Sequence, residues 1–141
     1  MTQEKPAPFL IDASVWCASV DEDDPHCDAA AAVISRNAVL ALDLTLYEVA
    51  NVAVRTWGEP ARAEELVAAV LRTGSRPPVP VTETIMHRAI RLAELHGITV
   101  YDAAYAAVAD EQRMQLVSCD VRDLVSNGLA VLPEDVVADA S

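Results

Sequence analysis

The chain has 141 residues, 52% of them apolar, and sets 22 Asp and Glu against 10 Lys and Arg, a formal charge of −12. That length suits one domain with a core of useful size, and the apolar content excludes a disordered chain. The longest unbroken apolar stretch, Ala103 to Ala109, falls far short of the roughly 20 residues a membrane-spanning helix needs, and no basic start followed by an apolar segment marks a signal peptide.

Residues 8–11 (Pro-Phe-Leu-Ile) read as a short buried strand that stops at Asp12, and residues 13–20 as a helix. Asp21-Glu22-Asp23-Asp24-Pro25 is a turn, with Pro25 where a helix can begin. The Ala-rich segment from His26 to Arg36 is helical, and residues 38–42 form a second short apolar run. A helix over Thr45–Trp57 follows, then one from Glu59 and Pro60 to about Thr73. Val79-Pro80-Val81 reads as a short strand. Thr82 caps a helix running to His96. Residues 102–113 are helical, 115–118 a strand, 120–127 a helix, and 129–132 a last strand. Glycines 58, 74, 97 and 128 all fall just past helix ends, where left-handed backbone is needed. Alternation of strand and helix predicts an α/β fold with a mainly parallel sheet. The whole chain, 1–141, reads as a single domain with its core over about 8–132 and frayed termini at 1–6 and 134–141.

Four glycines without a GxGxxG or GxxxxGK[ST] pattern exclude a Gly-rich phosphate loop. Cys17, Cys27 and Cys119 form no CxxC pair, so neither a disulfide framework nor a zinc cage is expected and a reducing cytoplasm is the default. His26, His87 and His96 are not spaced as a metal cluster. Tyr47, Tyr105, Trp16 and Trp57 read as core or interface packing, and Tyr101 as a weak candidate for stacking on a base.

The informative feature is where four acids lie. Asp12 directly follows the first strand, and Asp120 follows Leu116-Val117-Ser118 with one residue between. Ligands of open parallel sheets bind at the carboxyl ends of strands, so these two carboxylates are expected at one rim. Glu48 sits in an apolar helix whose only polar neighbour at helical spacing is Asn51, and Asp102 opens another apolar helix. Carboxylates in such settings are unfavourable without a counter-charge. Lys5 is the only lysine, and a divalent cation supplies that charge; all-oxygen ligands select hard cations such as Mg2+ or Mn2+. Each acid also has a local reading: Asp12, Asp102 and Asp120 as helix caps, the last with Asp123 three residues on, and Glu48 as a surface residue.

At these residues the sequence resembles the PIN-domain ribonuclease family, and within it the VapC-type toxins of bacterial toxin–antitoxin pairs. The resemblance lies in Phe9-Leu10-Ile11-Asp12-Ala13-Ser14-Val15-Trp16, Leu46-Tyr47-Glu48-Val49-Ala50-Asn51-Val52, Tyr101-Asp102-Ala103-Ala104-Tyr105-Ala106-Ala107-Val108-Ala109 and Leu116-Val117-Ser118-Cys119-Asp120. It covers about residues 8–132. It implies a three-layer α/β fold and an endoribonuclease that cleaves RNA phosphodiesters with a metal-activated water, using Mg2+ or Mn2+. By position it implies Asp12, Glu48, Asp102 and Asp120 as catalytic and metal-holding residues, with Asp123 sharing or replacing the role of Asp120. Ser14 and Ser118 match small hydroxyls of the family's motifs, and with Asn51 they are the groups expected to aim the carboxylates. A cognate antitoxin and a homodimer are implied partners, with no membrane. The acidic balance runs against the basic footprint of nucleic-acid binders; Arg55, Arg62, Arg72 and Arg76 are the cations expected to line a groove. A receiver-like phosphoacceptor would need a lysine after a late strand, which is absent. The other reading is a catalytically weak, acidic protein-interaction domain.

Overall fold

A computed structural model describes residues 6–139. Three short strands form a parallel sheet in the order β2-β1-β3: β1 (Phe9–Ile11), β2 (Val39–Leu40) and β3 (Leu116–Val117). Phe9 pairs with Val39, Leu10 with both Leu40 and Leu116, and Ile11 with Val117. Side chains alternate across a strand, and the two faces are covered separately. Leu10, Leu40 and Leu116 belong to a core cluster with helices α5 (Glu83–His96) and α6 (Val100–Glu111). Ile11, Val39 and Val117 belong to another, shared with α1 (Ala13–Ser19), α2 (Cys27–Arg36), α3 (Asp43–Asn51) and α4 (Pro60–Thr73). The result is the expected three layers, with β1 in the middle of the middle layer.

Composition explains the packing of α6. Ala103, Ala104, Ala106, Ala107 and Ala109 are all buried, as are Tyr105 and Val108 between them, so the middle of this helix has no polar face. Small side chains let it lie close against its neighbours. Thr99, whose hydroxyl accepts from the Asp102 amide at 3.1 Å, caps α6. The helix therefore starts two residues earlier than the sequence suggests, and Asp102 is not its cap but sits in its first turn, its carboxyl beside the Thr99 hydroxyl.

Other differences from the sequence reading have local causes. The segments at 79–81 and 129–132 are not strands but single bridges, Val79 to Leu42 and Val131 to Val117. Pro80 has no N–H to continue a ladder, and Pro133 ends the second segment by starting a helix. The helix α3 begins at Asp43 and runs on into a π-helical turn, Val52–Thr56. A second π-helical turn, Val121–Val125, stands where a helix over 120–127 was expected. Gly97 has φ +66 at the end of α5, as a left-handed cap requires, but Gly74 has φ −56. Its requirement is space: a Cβ there would lie 3.0 Å from the Arg76 carbonyl oxygen. Of the residues expected to fray, 134–139 belong to α7 (Pro133–Asp139), with Pro133 and Val136 buried and Glu134 Oε1 2.6 Å from His26 Nδ1; the expectations for 1–5, 140 and 141 lie outside the described residues.

Among the described residues no helix is long and apolar enough to cross a membrane. Since Leu10 is fully buried in the middle strand, Leu10→Ala is expected to lower the unfolding free energy by about 2–5 kcal/mol. Leu71→Ala, on the exposed side of α4, is expected to change it by no more than about 0.5 kcal/mol, both measured by urea denaturation.

Candidate metal centre

A chain that leaves the sheet at the carboxyl end of β1 places Asp12 between the ends of two parallel strands. Its amide continues the ladder by donating to the Val117 carbonyl at 3.3 Å. The residue is only 5% exposed, and hydroxyl groups hold both carboxylate oxygens. Ser14 Oγ donates to Oδ1 and Ser118 Oγ to Oδ2, each at 2.5 Å. The Val15 amide also donates to Oδ1 at 3.3 Å, so Asp12 does cap α1 while facing the site. The two serines accept in turn, Ser14 Oγ from the Cys119 amide and Ser118 Oγ from the Asp120 amide, both at 2.9 Å. The loop after β3 is thereby tied to the first acid.

Asp12, Ser14, Glu48, Asp102 and Asp120 line one cavity of about 140 Å³, together with Ala13 and Tyr105. Four segments, the two strand ends and the helices α3 and α6, thus bring together the four acids singled out in the sequence. Asp123 stands beside them: one carboxylate oxygen each from Asp102, Asp120 and Asp123 lie within 4.8 Å of one another. Asp120 Oδ1 accepts from the Asp123 amide at 3.0 Å, so its capping role and its place in the cavity coexist. Asn51, by contrast, is exposed and does not line the cavity. Of the arginines expected at a groove, Arg62 is engaged elsewhere: it stacks 4.5 Å above the Trp57 ring and donates to the Val20 carbonyl at 2.5 Å.

The sequence reading gave two residues of the site no role there. Tyr105 is buried as expected, yet its hydroxyl donates to Glu48 Oε1 at 2.6 Å. Thr45, fully buried, lies 2.8 Å from the same hydroxyl. A signal existed for both: Tyr105 follows Asp102 by three residues and Thr45 precedes Glu48 by three, so each shares a helix face with an acid.

Electrostatics set the character of the cavity. Burial pushes the Asp12 carboxyl up from its ordinary 3.8 to about 6, against the hydrogen bonds from Ser118, Ser14 and Val15, with Glu48 adding repulsion. Burial also raises Glu48, where Tyr105 acts the other way and Asp102 adds to the rise. Asp102 is raised by burial and by Asp120 and Asp123, with the Thr99 hydroxyl acting the other way. Among the described residues no Lys, Arg or His lines the cavity; Arg122 reaches Asp123 Oδ1 at 3.7 Å from an almost fully exposed position. This donor set, all carboxylate oxygen with mutual repulsion and no internal counter-charge, fits a hard divalent cation such as Mg2+ or Mn2+.

Residues 9–126 match the family model of the PIN domain. Ribonuclease VapC3 of Pyrobaculum aerophilum is 30% identical over 119 residues, which cover 79% of this chain and 88% of that protein. The crystal structure of PAE2754, also from Pyrobaculum aerophilum, superposes with a TM-score of 0.70 at 25% identity, covering 94% of this chain and 88% of the other. A toxin–antitoxin complex from Klebsiella pneumoniae contains a chain with the same fold, at a TM-score of 0.64 and 18% identity over 89% of this chain and 97% of that one.

The raised Asp12 carboxyl makes the metal-free protein sensitive to pH. The folded state holds a proton that the unfolded chain releases between 3.8 and about 6, so stability is expected to fall as pH rises through that window, by about 3 kcal/mol in total. Chemical denaturation in chelator at a series of pH values, compared with Asp12→Asn, measures it; the variant should lose this contribution.

Proposed function

The chain belongs to the PIN-domain family, in company with the VapC-type proteins, and from that premise we propose that it is a divalent-cation-dependent endoribonuclease acting in the cytoplasm as the toxin of a toxin–antitoxin pair. The observation that carries this reading is the convergence of Asp12, Glu48, Asp102 and Asp120, from four separate segments, on one cavity without a lining cation. The name of the relative, a ribonuclease, supports RNA as the substrate.

Asp12, Glu48, Asp102 and Asp120 would hold the cation, with Asp123 at the side of Asp102 and Asp120. Bound there, Mg2+ or Mn2+ supplies Lewis acidity to a phosphodiester and positive charge against the anion that develops on it. The residues of the chain do the positioning. Ser14 and Ser118 hold the Asp12 carboxylate by both oxygens, so its orientation is set before any ligand arrives. Ser118 also fixes the backbone at Asp120, which sets two acids with one hydroxyl. Preorganisation of this kind spares reorganisation during the reaction.

A net charge of −12 suits a neutralising partner with a basic or amphipathic segment, and the toxin–antitoxin complex among the relatives by fold supports an antitoxin as that partner. A homodimer is the assembly we propose for the free toxin.

With purified protein and single-stranded RNA, cleavage is expected with Mn2+ or Mg2+ and none in chelator. Asp12→Asn and Asp102→Asn are each expected to reduce the rate by at least about 100-fold with an unchanged circular-dichroism spectrum. Cation-dependent cleavage retained by either variant would overturn the assignment, and a melting temperature unmoved by millimolar Mn2+ would favour an interaction domain instead.

A further inference from the structure

The hydroxyl groups behind Glu48 form a chain that runs in one direction. The Leu42 amide, at the end of the segment that follows β2, donates to Thr45 Oγ1 at 3.1 Å. Thr45 Oγ1 and Tyr105 Oη are 2.8 Å apart, and Tyr105 Oη donates to Glu48 Oε1 at 2.6 Å. A phenolic hydroxyl has one proton. With that proton on the carboxylate, the 2.8 Å contact requires the Thr45 hydroxyl to donate to Tyr105. Thr45 can do so because its acceptor side already takes the Leu42 amide. Thr45 and Tyr105 are 0% and 1% exposed, so water does not compete for either group. The order of donors leads from a backbone amide that cannot turn to one named oxygen of one carboxylate.

We propose that Tyr105 is a positioning residue that fixes Glu48 through Oε1, leaves Oε2 the freer oxygen, disfavours bidentate binding, and thereby makes the pocket select Mg2+ or Mn2+ over Ca2+. The inference rests on the metal-site reading above and adds to it which ion the site rejects, and why. Ca2+ takes about 6–8 oxygens at about 2.3–2.6 Å and readily uses both oxygens of a carboxylate, whereas Mg2+ demands octahedral geometry at about 2.0–2.1 Å. A glutamate pinned through one oxygen meets the second requirement and denies the first. Serine hydroxyls on both oxygens of Asp12 fix that group's orientation in the same way, each oxygen keeping a second lone pair for the cation. The relay behind Glu48 is the separable part, because Tyr105→Phe removes one hydroxyl and leaves the ring in its packing.

The test is Mn2+ binding to the metal-free protein, followed by the electron paramagnetic resonance of free Mn2+, with Mg2+ and Ca2+ as competitors. In Tyr105→Phe, Mn2+ and Mg2+ are expected to bind about tenfold more weakly while Ca2+ binds as before or more tightly, so the preference narrows about tenfold. Thr45→Val should shift the preference the same way by less, and Thr45→Ser, which keeps the hydroxyl, should retain it. Should Tyr105→Phe fail to fold by circular dichroism, the two Thr45 variants decide between the outcomes. An unchanged preference, whether all affinities hold or all fall together, overturns the inference and leaves the metal site standing. A wild-type protein that binds none of the three ions overturns both.

Discussion

A carboxylate withdrawn from water between the ends of two parallel strands is the constraint around which this molecule is organised. Asp12 sits where β1 stops, and β1 is the middle strand of the sheet, so no edge is available through which solvent reaches it. An isolated buried charge of this kind is strongly unfavourable. The structure meets it with two serine hydroxyls and one amide, and burial still holds the group near a pKa of 6. Hydrogen bonds alone do not restore the solvation that was lost. What would restore it is positive charge, and among the described residues none lines the cavity.

Around that first acid the fold adds repulsion. Glu48, Asp102 and Asp120 come from segments that have separate structural duties: α3 begins a layer, α6 fills the core beneath the sheet, and the loop after β3 turns into a helical segment capped by Asp120 itself. Each acid is paid for locally by a cap, a serine or a tyrosine, and none of these partners carries charge. The arrangement is therefore poised for a ligand of opposite sign. Stability and binding draw on the same groups, which is why removal of an acid from the cavity is expected to relieve the metal-free fold and abolish the chemistry.

The distribution of cations completes this picture. Arg62 pairs with Glu59 and stacks on Trp57, Arg88 pairs with Asp110, and Arg122 stands at the rim beside Asp123. These are exposed pairs of small individual worth. Their effect is to occupy the positive groups away from the cavity lining, so that the acids stay uncompensated by the chain.

Sequence by itself determined a good deal: the strand before Asp12, the alternation of helices and strands, the parallel sheet and the identity of the four acids, since an acid at a strand end or within an apolar helix face is visible as a break in a hydrophobic pattern. Ser14 and Ser118 were legible only through the family resemblance, which places a small hydroxyl two residues after the first acid and two before the last. Only the tertiary structure decided the rest. Asn51 has the right spacing from Glu48 but points its position to solvent, because the register of α3 against its neighbours is set by packing. Tyr105 reads as packing and is packing, and its second task appears only because α3 and α6 cross the rim at a distance that lets its hydroxyl reach Glu48 from a residue 57 positions away. Periodicity along a chain reports which side of a helix is buried; it carries no information about which polar atom of another helix waits there.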